Sequence, residues 1–128
     1  MVLLARSGRP TNTDMIAHEP RPLTVEEVVV TAAAIRHAPY GKGFQLDDGY
    51  LNSKLKVVGR CDCGCASLFF SSPEWTLEHH RVADGTGYTA DGERIDVIVW
   101  ATSAGLAHLE LVSYSERPAL LPEPTSIR

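Results

Sequence analysis

No stretch of this 128-residue sequence is apolar for long enough to cross a membrane; a spanning helix needs about 20 such residues. The opening Met1-Val2-Leu3-Leu4-Ala5 is cut short by Arg6 and Ser7-Gly8, well below the roughly 7–15-residue apolar core of an export signal. Positive charge is in deficit, with 12 Lys and Arg against 16 Asp and Glu. The imbalance is concentrated, since residues 1–60 carry a net +2 and residues 61–128 a net −6. A nucleic-acid partner is therefore not expected, because phosphate neutralisation needs a basic surface, and an anionic membrane surface is disfavoured for the same reason. Nucleotide-loop and serine-hydrolase signatures are absent, and the acidic stretch Asp84, Asp91, Glu93, Asp96 lacks the spacing of a calcium loop. Cysteine is scarce, with three residues, too few and too close together for a disulfide framework. The expected compartment is the cytoplasm, where thiols stay reduced and clustered cysteines point to metal, redox chemistry or packing.

What is present suffices for one folded unit. Apolar residues make up 44% and charged residues 22%, ordinary values for a globular domain, and a chain of this length is about one domain. The prolines and small polar residues of 1–22 read as a flexible leader. Residues 23–122 read as a single domain, and 123–128 as an extended tail. Thr24-Val25-Glu26-Glu27 matches a capping box. The helix it starts runs to about His37, with Val25, Val28, Val29, Ala32 and Ile35 as its apolar face. Tyr50 to Lys54 suits a helical turn that carries Leu51 and Leu55 into the core.

From Lys54 the period becomes two. Lys54–Arg60, Ala66–Phe70, His80–Ala83, Arg94–Thr102 and Leu106–Tyr114 read as strands, with Asp84-Gly85 and Asp91-Gly92 as turns. Ser72-Pro73 suits the start of a helical turn. Ile95, Val97 and Val99 alternate with Ile98 and Trp100, so both faces of that strand should be covered. Ser103-Ala104-Gly105 reads as a hairpin loop with Gly105 left-handed. The expected class is α+β: one N-terminal amphipathic helix on a mostly antiparallel sheet of four to five short strands.

The chemistry-bearing feature is Arg60-Cys61-Asp62-Cys63-Gly64-Cys65. On an extended strand the three sulfurs share a face, but alternate Cα atoms stand about 6.5 Å apart. A tetrahedral zinc holds its sulfurs just under about 4 Å apart, so three thiolates on a straight strand cannot converge. Gly64 in a left-handed or bulged conformation would bend the chain and bring Cys65 round. Zinc would need a fourth ligand, with His79, His80 and His108 available and His80 the candidate, whereas Cu(I) would need none. The competing reading is plain packing, with the cysteines as small buried hydrophobes beneath Trp75 and the helix. Arg60 would favour a reactive Cys61 thiolate and Asp62 would oppose it. Of His79 and His80, one is expected in solvent and one half-buried, and His108 reads as a solvent-facing strand residue.

Residues Val57 to Pro122 resemble small uncharacterised bacterial proteins with an R-C-x-C-G-C-[PA]-S segment, a later G-T-x-x-D-G and a closing L-x-x-L-E-[LV]-x-x-Y hairpin. The carriers here are Arg60 to Ser67, Gly87 to Gly92, and Leu106 to Tyr114, with Ala66 in place of proline and a looser middle match. The resemblance implies an intact domain and no particular activity. Three functional readings follow. One is a non-enzymatic interaction or regulatory domain that uses the acidic face of Asp91, Glu93 and Asp96 for a protein partner. The second is a metal-binding module for Zn or Cu(I) through Cys61, Cys63, Cys65 and His80. The third is a thiol redox protein, though no base is seen beside a nucleophile.

Overall fold

The structure is a computed structural model that describes residues 15–47, 49–71 and 77–128. Thr24 Oγ1 accepts the Glu27 N–H at 3.1 Å, and Glu27 Oε1 accepts the Thr24 N–H at 2.9 Å. This reciprocal cap starts helix α1, Val25–His37, where the sequence places it. Of the expected face, Ala32 and Ile35 are buried and Val28 packs against the core, but the buried stripe is rotated away from Val25 and Val29. Val30, Thr31, Ala34 and Ile35 are buried, whereas Val25 is 77% and Val29 43% exposed. Glu27 accounts for the rotation. Its carboxylate forms a two-pronged ion pair with Arg21, Nη1–Oε1 2.9 Å and Nη2–Oε2 3.0 Å. That pair pins residue 27 inward, and residues 30, 31 and 34 follow it at three- and four-residue spacing. Burial pushes the Glu27 carboxyl up, but the Arg21 and Thr24 hydrogen bonds outweigh it and hold the group below the ordinary carboxylate range.

Arg21 belongs to strand β1, Met15–Pro22. The sequence pattern reads these residues as flexible leader, yet they pair antiparallel with β2, Lys56–Cys61, Met15 facing Cys61 and Pro22 facing Lys56. Pro20 and Pro22 are compatible with this because an edge strand has one side that needs no N–H. The rest of the expected leader, residues 1–14, lies outside the described residues. So do Trp75 and the expected turn at Ser72-Pro73.

The other strands are β3 (Leu68–Phe69), β4 (His80–Tyr88), β5 (Arg94–Thr102) and β6 (Gly105–Ser113). The α+β class holds, but the sheet has six strands rather than four or five, in the order β1-β2-β3-β6-β5-β4, with every pair antiparallel. The helix follows a strand instead of opening the fold. A π-helical turn at Tyr50–Lys54 buries Leu51 and leads into buried Leu55, as expected. The β5–β6 loop contains two residues, Ser103 and Ala104, because Gly105 (φ +131°) already pairs with Thr102. Ile95, Val97 and Val99 share a core with Val30, Ala34 and Ile35 of α1. On the other face Ile98 and Trp100 lie opposite Glu110 and His108, with Phe69 beyond His108, and all five are buried.

Asp84-Gly85 is no turn, for β4 runs through it. A Cβ at Gly85 would lie 2.5 Å from Ala38 Cβ and 2.8 Å from Arg128 O, and one at Gly87 would lie 2.9 Å from Pro122 Cβ. These glycines therefore admit the two segments that cover the outer edge of β4. Tyr40 N–H bonds Val82 O at 3.1 Å and Asp84 N–H bonds Ala38 O at 2.9 Å. Farther along, Thr86 and Arg128 exchange both backbone hydrogen bonds at 3.0 Å, and Glu123 N–H reaches Tyr88 O at 2.8 Å. Residues 123–128, expected as an extended tail, thus form a 3₁₀ turn at Pro124–Ser126 and bury Ile127 against the sheet. A covered edge removes an open template for strand addition. Among the described residues, no helix is long and apolar enough to cross a membrane.

Glu27→Ala removes the cap and the ion pair together and should lower unfolding free energy by about 2 kcal/mol at pH 7, measured by urea denaturation. The folded carboxyl is depressed, so its contribution is present above the unfolded value of about 4.3 and fades as pH falls through the folded value. The deficit of the variant should therefore shrink in acid. Deleting residues 123–128 should leave the β5 and β6 amides protected while the Thr86 and Tyr88 amides exchange at least about tenfold faster, read by hydrogen-exchange NMR.

Candidate metal centre

Cys61 ends β2, and the chain turns immediately. Cys61 O accepts the Gly64 N–H at 3.2 Å, and Gly64 takes φ +88°. Nothing lies within 4 Å of a Cβ placed there. The backbone angle, not crowding, is what favours glycine, since an L-residue adopts it at about 1–2 kcal/mol. This is the bend that three converging sulfurs require. The Sγ atoms of Cys61, Cys63 and Cys65 all lie within 4.8 Å of one another.

Hydrogen bonds hold the loop from inside. The Cys61 thiol donates to Cys63 Sγ at 3.0 Å, the Cys63 N–H to Cys61 Sγ at 3.4 Å, and the Cys65 N–H to Cys63 Sγ at 3.4 Å. Cys65 Sγ donates to Ser67 Oγ at 3.2 Å, and Ser67 Oγ in turn accepts the Leu111 N–H of β6 at 2.9 Å. Ala66 N–H bonds Ala119 O at 2.8 Å. The exit of the loop is therefore tied to β6 and to the segment after it. Ser67 is buried, and nothing in the local sequence marks it as an anchor; its role depends on a residue 44 positions away.

The three thiols form a gradient from interior to solvent. Cys61 is 1% exposed, Cys65 is half-buried and Cys63 is exposed; none is in a disulfide. Burial pushes the Cys63 thiol up, but hydrogen bonds from Cys61 and Cys65 outweigh it and hold the thiol below its ordinary value. A groove of about 350 Å³ runs beside the loop, with Cys63, Cys65, Ser115, Glu116 and Arg117 among its walls.

The expected fourth ligand is not here. His80 is exposed and faces Ala101 at the start of β4. β4 stands four places from β2 in the sheet order, about 19 Å at the usual strand spacing. Among the described residues, no His, Asp or Glu joins the three sulfurs. His79 is buried, with Nδ1 facing Leu77 O at 3.0 Å. His108, expected in solvent, is 2% exposed and stacks on Phe69 at 4.2 Å. Its Nδ1 faces Leu68 O at 2.8 Å, which assigns the proton to Nδ1 and leaves the Nε2 lone pair without a partner. Burial, the largest influence, pushes this imidazole down in pKa. Beside it, buried Glu110 accepts the Trp100 Nε1–H at 3.0 Å. The apolar residues of β5 mark this second face as covered, but alternation along β6 does not show that His108 and Glu110 are buried in it, because a covered polar residue and a solvated one occupy the same position in the pattern.

The acidic stretch is engaged within the chain. Thr89 and Arg117 meet Asp91, and Ser113, Ser115 and Arg117 meet Glu93. Tyr114 and Arg94 meet Asp96. These contacts brace residues 113–117 against the β4–β5 turn, and through them the outer wall of the groove beside the cysteines.

With metal-free, reduced protein at pH 7, iodoacetamide should label Cys63 first, at least about tenfold faster than buried Cys61, as read by peptide mass spectrometry over time. Equal rates at the two positions would contradict the gradient. Set against family models, curated proteins and solved structures, the chain shows no match to any of them.

Proposed function

We propose that this chain is a small metal-binding domain in which Cys61, Cys63 and Cys65 hold one soft ion, Zn(II) or Cu(I). The observation that carries this is the convergence of three sulfurs to within 4.8 Å around a left-handed glycine, in a loop tied to the sheet at its exit. Two thiolates on a tetrahedral zinc stand about 3.8 Å apart. Here Cys61 and Cys63 stand 3.0 Å apart and no pair exceeds 4.8 Å, so the loop gathers the sulfurs near that spacing without yet matching it. Rotation of the exposed Cys63 side chain is the adjustment needed.

Zinc would need a fourth ligand beyond the three thiolates, from water or an outside group, whereas Cu(I) would be satisfied by the three. Arg117 lines the same groove, with its guanidinium paired to Asp91 at 3.7 Å and Glu93 at 3.5 Å. Each thiol must lose its proton on binding, so uptake acidifies the solution. A protein-contact role through Asp91, Glu93 and Asp96 has no comparable support, because those carboxylates are already bonded within the chain.

Untagged protein reduced and loaded with zinc or Cu(I) should retain about one ion per chain after desalting, measured by elemental analysis. Cys63→Ser, at an exposed position, should lose most of it. Gly64→Ala should weaken retention about tenfold or more by straining the turn. Retention below about 0.2 ion per chain, unchanged in Cys63→Ser, would overturn the reading.

A further inference from the structure

The sulfur pair at 3.0 Å is too close for two ligands of one zinc and well placed for a different bond. We propose that Cys61 and Cys63 are a dithiol–disulfide couple whose oxidation closes the metal site; the part concerning metal rests on the reading above. Even extended chain sets alternate Cα atoms roughly 6.5 Å apart, inside the window of about 4.4–6.8 Å that a disulfide bridges, and the turn closed by Gly64 N–H on Cys61 O at 3.2 Å folds the segment between them. Cys65 also meets Cys63, through its N–H at 3.4 Å and its side chain, but its thiol donates to Ser67, which β6 holds in place. The Cys61 thiol points at Cys63 Sγ at 3.0 Å, and the proposed couple is therefore Cys61–Cys63 rather than Cys63–Cys65.

The exposure gradient assigns the order of steps. A low-molecular-weight disulfide such as oxidised glutathione reaches exposed Cys63 and not Cys61, which is 1% exposed. The Cys63 sulfur, having given up its proton, attacks one sulfur of the oxidant. The oxidant's S–S bond breaks, its other half leaves as a thiolate, and that thiolate takes up the proton. Cys61 then loses its proton and attacks the Cys63 sulfur of the mixed disulfide, releasing the second thiol. Two protein thiols are oxidised by two electrons, and one oxidant disulfide is reduced to two thiols. Cys65 remains as a single thiol, which by itself does not make a three-thiolate centre.

The test treats metal-free protein with oxidised glutathione, alkylates the remaining thiols and maps them by peptide mass spectrometry. Expected are a Cys61–Cys63 disulfide and an alkylated Cys65, with the same disulfide in Cys65→Ser. Cys61→Ser should stop at a glutathione adduct on Cys63. A Cys63–Cys65 bond, or a persistent glutathione adduct in the unsubstituted chain, would overturn the couple. Zinc retention by the oxidised chain should fall at least about tenfold and return after dithiothreitol. If the disulfide forms but the reduced chain holds no metal, the gating and the metal reading both fall. If the reduced chain holds metal and no Cys61–Cys63 bond appears, the couple falls and the metal reading stands.

Discussion

The register of β6 is the constraint from which the rest of the structure follows. A two-residue turn ending at Gly105 sets β6 against β5, so that Leu109 faces Val99 and Leu111 faces Val97. β3 then takes its place from β6, Leu68 opposite Leu109 and Phe69 opposite His108. That short pairing puts Ser67 beside Leu111, where its hydroxyl meets both the β6 backbone and Cys65. A slip of one residue would exchange the two faces of the strand and carry Glu110 and His108 into the α1 core. The geometry of three sulfurs on a surface loop thus depends on a glycine turn at the far end of a hairpin.

The same logic explains how polar chemistry is distributed. Where the chain needs orientation, it uses hydrogen-bonded polar groups at partly or wholly buried positions: Arg21 on Glu27 sets the helix, and the Trp100 indole meets Glu110 on the second face of the sheet. Truncating one member of such a pair leaves the other unsatisfied. The three thiols are instead graded from interior to solvent, in the order Cys61, Cys65 and Cys63.

Much of this was legible in the sequence. The capping box, the β5–β6 hairpin, the double-sided burial of β5 and the need for a bend at Gly64 all follow from local rules, because one or two neighbouring residues decide each of them. What could not be read depends on distant partners. Residues 15–22, with Pro20 and Pro22, look like leader until a strand more than 30 residues later pairs with them. Gly85 looks like a turn residue until Ala38 and Arg128 close over it. Apolar periodicity places Ala32 and Ile35 inward but also Val25 and Val29, because it gives no weight to a glutamate that is buried by its ion pair. His80 seemed available only because nearness in sequence stood in for nearness in space.

β3 is two residues long, and it alone joins the β1–β2 ribbon to the β6–β5–β4 ribbon within the sheet. Two rungs on each side make a weak seam between two larger cooperative units, the place where sub-global opening would begin. The cysteine loop spans that seam, with Cys61 on one ribbon and Ser67 fastened to the other. Whatever locks the three sulfurs together acts as a clasp across it. A ligand held only by the closed form would bias the whole sheet against separating, in proportion to how far its concentration exceeds its dissociation constant. The cluster would then report to the fold as much as the fold positions the cluster.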